Sequence, residues 1–195
     1  MLYTLITFAL VFFTCLLFLP KFKRFIEQQS VAFNFLLTMV ATLVGVLLAI
    51  AISNYEADKK EQEDVVRLID ASITSIESCA GYTQALLEHA ENQSLDAQAS
   101  EQFFLLNPAP YPEYVDVFLA QPVVSKNLSS DGLSDLNGIV INLKRTITSK
   151  PKVYLELLTQ TREVLLVERR YQGGEIDEVE LDRLLDQIQE RPLSL

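Results

Sequence analysis

Two long apolar runs open the chain, and a periodic alternation of apolar and polar positions fills the rest. The second run, residues 31–52 (VAFNFLLTMVATLVGVLLAIAI), is uncharged, and no charge occurs between Glu27 and Glu56. As a helix it is long enough to cross the roughly 30 Å hydrocarbon core of a bilayer. The first run, Met1–Pro20, is uncharged as well. This pattern predicts an N-terminal transmembrane hairpin over 1–53, with helices over about 2–19 and 31–53 and Pro20 closing the first.

Neither Gly nor Pro interrupts the chain from Val46 to Ala80, so the second helix is expected to continue as a juxtamembrane stalk over 54–91. Within it Val66, Ile69, Ile73, Ile76, Ala80, Thr83, Leu87 and Ala90 recur at alternating steps of three and four, a heptad seam. Val66, Ile69, Ile73 and Ile76 are its strong part, because all are bulky and β-branched. Such a seam serves a coiled coil or one helix of an antiparallel bundle. The helical patterns that follow favour the bundle.

Residues 92–195 read as a soluble α-helical domain. Asn92–Ser100 is polar and reads as a connection, and Phe103-Phe104-Leu105-Leu106 as an apolar anchor. Asn107-Pro108-Ala109-Pro110-Tyr111-Pro112 breaks any helix. A short helix is predicted over Glu113–Ala120. Ser129 or Ser130 caps the next, which puts Leu133, Leu136, Val140, Leu143 and Ile147 on one face. Pro151 opens a helix to about Gln172, with Tyr154, Leu157, Leu158, Leu165 and Tyr171 toward a core and Gly173-Gly174 as its stop. A last amphipathic helix, Asp177–Glu190, offers Val179, Leu181, Leu184, Leu185 and Ile188. Alternating strand patterns are almost absent, so the fold class is all-α.

Charge separates the two parts. The formal charge is −10; Lys21, Lys23, Arg24 and Glu27 make the first 53 residues +2, which leaves −12 for the remainder. An acidic domain is repelled by nucleic acid and anionic headgroups, so direct nucleic-acid binding is not expected. The basic cluster follows the first apolar run instead of preceding it, which argues for a retained helix over a cleaved signal peptide. Lys21, Lys23 and Arg24 in the loop favour a cytoplasmic loop with both ends outside. Lys59, Lys60 and Arg67 after the second helix favour the reverse. The two orientations are close to balanced.

The second membrane helix carries small residues at every fourth position, Ala41, Gly45, Ala49 and Ser53, flanked by Thr38 and Thr42. Small residues at this spacing let helix backbones approach closely in lipid. The stripe can pack against the first helix or against another copy of the chain, but one stripe serves one close neighbour.

Chemistry is sparse. Cys15 and Cys79 form no disulfide framework. His89, the single histidine, has Glu88 and Glu91 beside it but no second His or Cys at ligand spacing, so it reads as a surface residue. The carboxylates at Glu61–Asp64 and Glu175–Asp182 read as solvated helix faces. No nucleophile elbow, phosphate loop, dinucleotide fingerprint or zinc-helix motif occurs. We expect no catalytic residue, metal site or cofactor, and no enzyme.

The segment Gly45–Arg67, GVLLAIAISNYEADKKEQEDVVR, resembles a pattern in small bacterial two-pass inner-membrane proteins of unknown function. In those an apolar helix leads into a short charged collar and a long helix. Asn54, Lys59 and Lys60 fit that collar loosely, and Tyr55 stands where a Trp is usual. The plan of the chain is also similar to two-transmembrane effectors of antiphage defence, including those of retrons, where cytoplasmic partners restrain a membrane hairpin through a soluble domain. These resemblances imply a bacterial inner membrane and nothing catalytic. The expectation is a non-enzymatic membrane protein acting on the lipid bilayer by homo-oligomerisation or through a protein partner, most concretely a membrane-disrupting effector. The alternative is a structural subunit or adaptor that anchors a complex without permeabilising the membrane.

Overall fold

The computed structural model of the chain describes residues 30–191. The expected first membrane helix, Cys15, Pro20 and the orientation charges Lys21, Lys23 and Arg24 lie outside the described residues. The described residues form helices joined by short connections, with no strand. In order they are α1 (Ser30–Asn92), α2 (Ala97–Leu106), α3 (Glu113–Leu119), α4 (Pro122–Asn127), α5 (Ser130–Thr146), α6 (Pro151–Gln172) and α7 (Glu178–Gln189). The chain divides into two compact units, Met1–Lys60 and Glu61–Leu195.

In the first unit, α1 carries no charge before Glu56, and most of its described side chains there are exposed. It is long and apolar enough to cross a membrane, by length and composition. Residues 31–53 span about 34 Å at 1.5 Å per residue.

The second unit is a helical bundle. Its core draws Val65, Ile69, Ile73 and Ile76 from α1, Val115 and Phe118 from α3, and Val124 from α4. To these α5 adds Leu136, Val140 and Leu143, α6 adds Tyr154, Leu157, Leu158 and Leu165, and α7 adds Leu181, Leu185 and Ile188. In the longer elements these residues keep helical spacing, so each helix turns one apolar stripe inward. The seam on α1 is therefore filled from within the same chain. Asp70 pairs with Arg169, Glu77 with Arg162 and Glu91 with Lys152, at 2.6, 2.6 and 3.0 Å, which fixes α1 antiparallel to α6. These pairs are half-exposed, and each is worth only about 0.2–1 kcal/mol. They set register more than stability.

Local chemistry explains the helix ends. Asp96, Ser129 and Asp177 cap α2, α5 and α7 by accepting the backbone N–H of Ala99, Gly132 and Glu180, at 2.8, 2.9 and 2.9 Å. Pro122 and Pro151 open α4 and α6, where a missing N–H costs nothing. At the end of α6, Gly174 takes φ +70. The N–H of Glu175 bonds back to Arg170 O and that of Gly174 to Tyr171 O, both 2.9 Å, a Schellman stop that needs glycine there. The proline segment is tied down by Tyr154, whose hydroxyl donates to Pro110 O at 2.8 Å.

Several expectations need correction. α2 begins at Ala97, inside the stretch read as a connection, because Asp96 supplies a cap. Its Leu105 and Leu106 are exposed, so the apolar anchor is Phe103 and Phe104 alone. The sequence pattern does not predict α4. Val65, not its neighbour Val66, is the fully buried start of the α1 seam; Val66 is half-buried. Val179 is 78% exposed, since the inward stripe of α7 is Leu181, Leu185 and Ile188, at i, i+4 and i+7.

Candidate membrane-helix interface and buried carboxyl cluster

The first candidate site is one face of the apolar part of α1. Thr38, Ala41, Thr42, Gly45, Ala49 and Ser53 are all exposed. A side chain built at Gly45 would meet nothing within 4 Å. The hydroxyls of Thr38 and Thr42 donate to the carbonyls of Asn34 and Thr38, at 2.8 and 2.9 Å. Their polar atoms are thus satisfied within the helix. This face carries only small side chains and needs no further hydrogen bond. Leu37, Val40, Val44, Leu47 and Ala51 form a half-buried stripe on the same helix. At 100° per residue the two stripes lie about 150° apart. Beside the small stripe, Phe35, Thr38, Met39, Thr42, Leu43 and Val46 border a shallow groove of about 430 Å³. The helix therefore has two distinct faces, and the small-residue face is open.

The stalk residues do something different. Ile69, Ile73 and Ile76 are buried in the bundle core. Near the end of α1, His89 is exposed and its ring stacks on Phe103 with centroids 5.5 Å apart. Gln93 Nε2 lies 2.9 Å from His89 Nε2. No group of three or more His, Cys, Asp or Glu placed to hold a metal ion occurs among the described residues. An open cavity of about 760 Å³ lies where α1, α2 and the α5–α6 connection meet, with Leu87, Leu95, Phe104 and Val153 among its lining.

The sequence pattern does not single out a second cluster, which the fold assembles. Glu168 on α6 is fully buried. Its carboxyl accepts the Ser129 hydroxyl and, at 3.4 Å, the Ser129 backbone N–H. Gly132 stands against it: a Cβ there would overlap Glu168 Oε1 and come within 2.8 Å of both Glu168 Cδ and Ser129 Oγ. One turn on, Asp135 is also buried and accepts the side-chain amide of Gln189 from α7. Burial pushes the Glu168 carboxyl above the ordinary glutamate range, against the lowering effect of Ser129, with Asp135 adding to the rise. Burial likewise raises Asp135, opposed by Gln189 and reinforced by Asp131 and Asp186. The only sequence signal for this cluster is the glycine in the first turn of a helix, at Gly132. Glu168 itself sits in Glu168-Arg169-Arg170, which reads as a charged surface run.

Most of the remaining acids are exposed, while Glu61 and Glu163 are half-buried and paired with Lys126 and Arg191. Glu61 is held below its ordinary range by hydrogen bonds from Lys126 and Asn127. Glu180 is lowered by Arg183. No protein-family model, curated protein or solved structure matches the chain.

Proposed function

We propose that this chain is a non-enzymatic protein of a bacterial inner membrane that acts by self-association and partner binding. In its most concrete form it is a membrane-disrupting effector of the antiphage-defence type, restrained by a partner through its helical domain. The observation that carries this reading is the open small-residue face of α1. Thr38, Ala41, Gly45 and Ala49 lie exposed on it, on the side away from the half-buried Leu37–Ala51 stripe. Apolar helices in lipid gain little by burying Leu against Leu, since lipid tails are equally apolar. They gain by bringing backbones close, which small residues permit. A second copy of the same helix offers the matching surface.

In this reading release from the partner lets the Ala41–Gly45–Ala49 faces meet, and clustering of the apolar helices breaches the bilayer. A cytosolic partner requires the helical domain to lie in the cytoplasm, the orientation adopted here. The acidity of that domain supports a protein partner over nucleic acid or anionic lipid.

The test is expression in bacteria of the wild type and Gly45→Leu, following growth and dye entry. The wild type is expected to slow growth and admit dye, and Gly45→Leu to do neither at equal abundance. Equal toxicity, or none in either, contradicts the effector reading. Stable capture of a partner with membranes intact on overexpression supports the anchoring adaptor instead.

A further inference from the structure

We propose that Glu168, Ser129, Asp135 and Gln189 form a proton-operated latch that holds the start of α5 onto α6 and the end of α7 onto α5. Three helices meet at this point, and each contributes a polar group that the others satisfy. Glu168 on α6 is fully buried and bound by Ser129, the cap of α5. Asp135 on α5 is bound by Gln189 in the last turn of α7. Gly132 leaves the space that the Glu168 carboxyl occupies.

The charges that act on these two carboxyls are of one sign, while Lys126, three residues before Ser129 on α4, is paired with Glu61. Asp131 and Asp135 face the cluster from α5 and Asp186 from α7. The basic residues nearest in sequence on α6 are turned to other partners, Arg169 to Asp70 and Arg170 to Glu175. Arg191, just past α7, reaches Glu163. A carboxyl removed from water without a cation favours its neutral form. Neutral, Glu168 can hydrogen-bond Ser129 with no charge to bury. Ionised, it carries a buried charge that the Asp135 carboxylate also opposes.

The sign of the pH effect follows. Both Glu168 and Asp135 hold their protons more tightly folded than unfolded. Their stabilisation is fully present below the unfolded values, 4.5 and 3.8. It fades as pH rises from there through the folded values, where the unfolded chain binds fewer protons than the native one. The latch is therefore tight in acid and loosens toward neutral pH. The segments that loosen are those it joins, α7 and the first turn of α5.

Amide hydrogen exchange of the full chain in detergent micelles tests this, at about pH 5 and about pH 8 with intrinsic rates corrected. In the wild type, protection of residues 178–189 and 130–134 is expected to fall between these conditions, since the native chain holds protons that the unfolded chain has released. Glu168→Gln keeps a neutral group in the same space and is expected to abolish most of that fall. Asp135→Asn is expected to keep the fall but shift its midpoint to lower pH, because burial still raises Glu168 while the added push from the Asp135 charge is removed. Protection independent of pH in the wild type overturns the proposal. So does an unchanged pH dependence in Glu168→Gln, or, where that variant does not fold, an unmoved midpoint in Asp135→Asn.

Discussion

Phe118→Ala is expected to lower the unfolding free energy of the helical domain by about 3–5 kcal/mol, the range for emptying a fully buried aromatic site. Phe118 has no exposed surface and sits in α3, an element of only seven residues. So short a helix has little stability of its own. It is held by Val115 and Phe118, the buried residues on its inner face. The proline segment before it hangs on the same packing and on the Tyr154 hydroxyl at Pro110. Loss of Phe118 leaves a cavity that a proline-constrained neighbour cannot collapse to fill. Chemical denaturation of the full chain in detergent, followed by far-ultraviolet circular dichroism, reads the effect. Val117→Ala, one residue away but 53% exposed, is expected to stay within about 0.5 kcal/mol. If the two variants cost the same, α3 does not pack as described.

Gly132→Ala is the second large effect, at about 2–4 kcal/mol, combining overpacking with the loss of a buried hydrogen bond. The site has no room for a methyl group. The added carbon overlaps Glu168 Oε1 and crowds Glu168 Cδ and Ser129 Oγ, each at 2.8 Å. None of these can retreat cheaply: Glu168 is fully buried, and Ser129 is fixed as the cap of α5. Helix propensity alone would favour alanine by up to about 1 kcal/mol. Propensity and packing therefore predict opposite signs, which makes the measurement decisive. In a Glu168→Ala background the overlap with the Glu168 carboxyl is gone and only the 2.8 Å approach to Ser129 Oγ remains, so Gly132→Ala is expected to cost clearly less. A double-mutant cycle isolates this coupling. Equal cost in both backgrounds would falsify the account of Gly132 as the space for Glu168.

Much of the bundle is legible in the sequence for local reasons. The Pro151–Gln172 helix has a proline at its first position and a glycine pair at its end, and both signals act within a few residues. Leu136, Val140 and Leu143 keep helical spacing, and Ser129 is a standard cap. The misses share a different cause. Whether Val65 or Val66 takes the seam depends on how α1 is rotated against α6, which the α1 pattern alone does not fix. Val179 is apolar at helical spacing, yet the fold places nothing over it. α4 spans only six residues, too short for periodicity to register. The buried carboxyl cluster is the least legible, because Glu168 packs against Ser129 and Gly132, which are distant in sequence. On the apolar part of α1, composition marks the small stripe at Ala41, Gly45 and Ala49. Only the three-dimensional arrangement distinguishes its exposed face from the half-buried one.

Association of the chain with itself in a native membrane is the most direct test of the central claim. Energy transfer between two differently tagged copies, fused after Leu195 and titrated over expression level, measures it. The expected result is transfer that rises with surface density in the wild type and falls sharply in Gly45→Leu and Ala49→Leu. A tenfold weaker association corresponds to about 1.4 kcal/mol. Ile50→Ala, at an exposed position about 110° around the helix from the centre of the small stripe, is expected to leave it unchanged. No transfer in the wild type, or the same transfer in Gly45→Leu, would contradict assembly through the open face of α1.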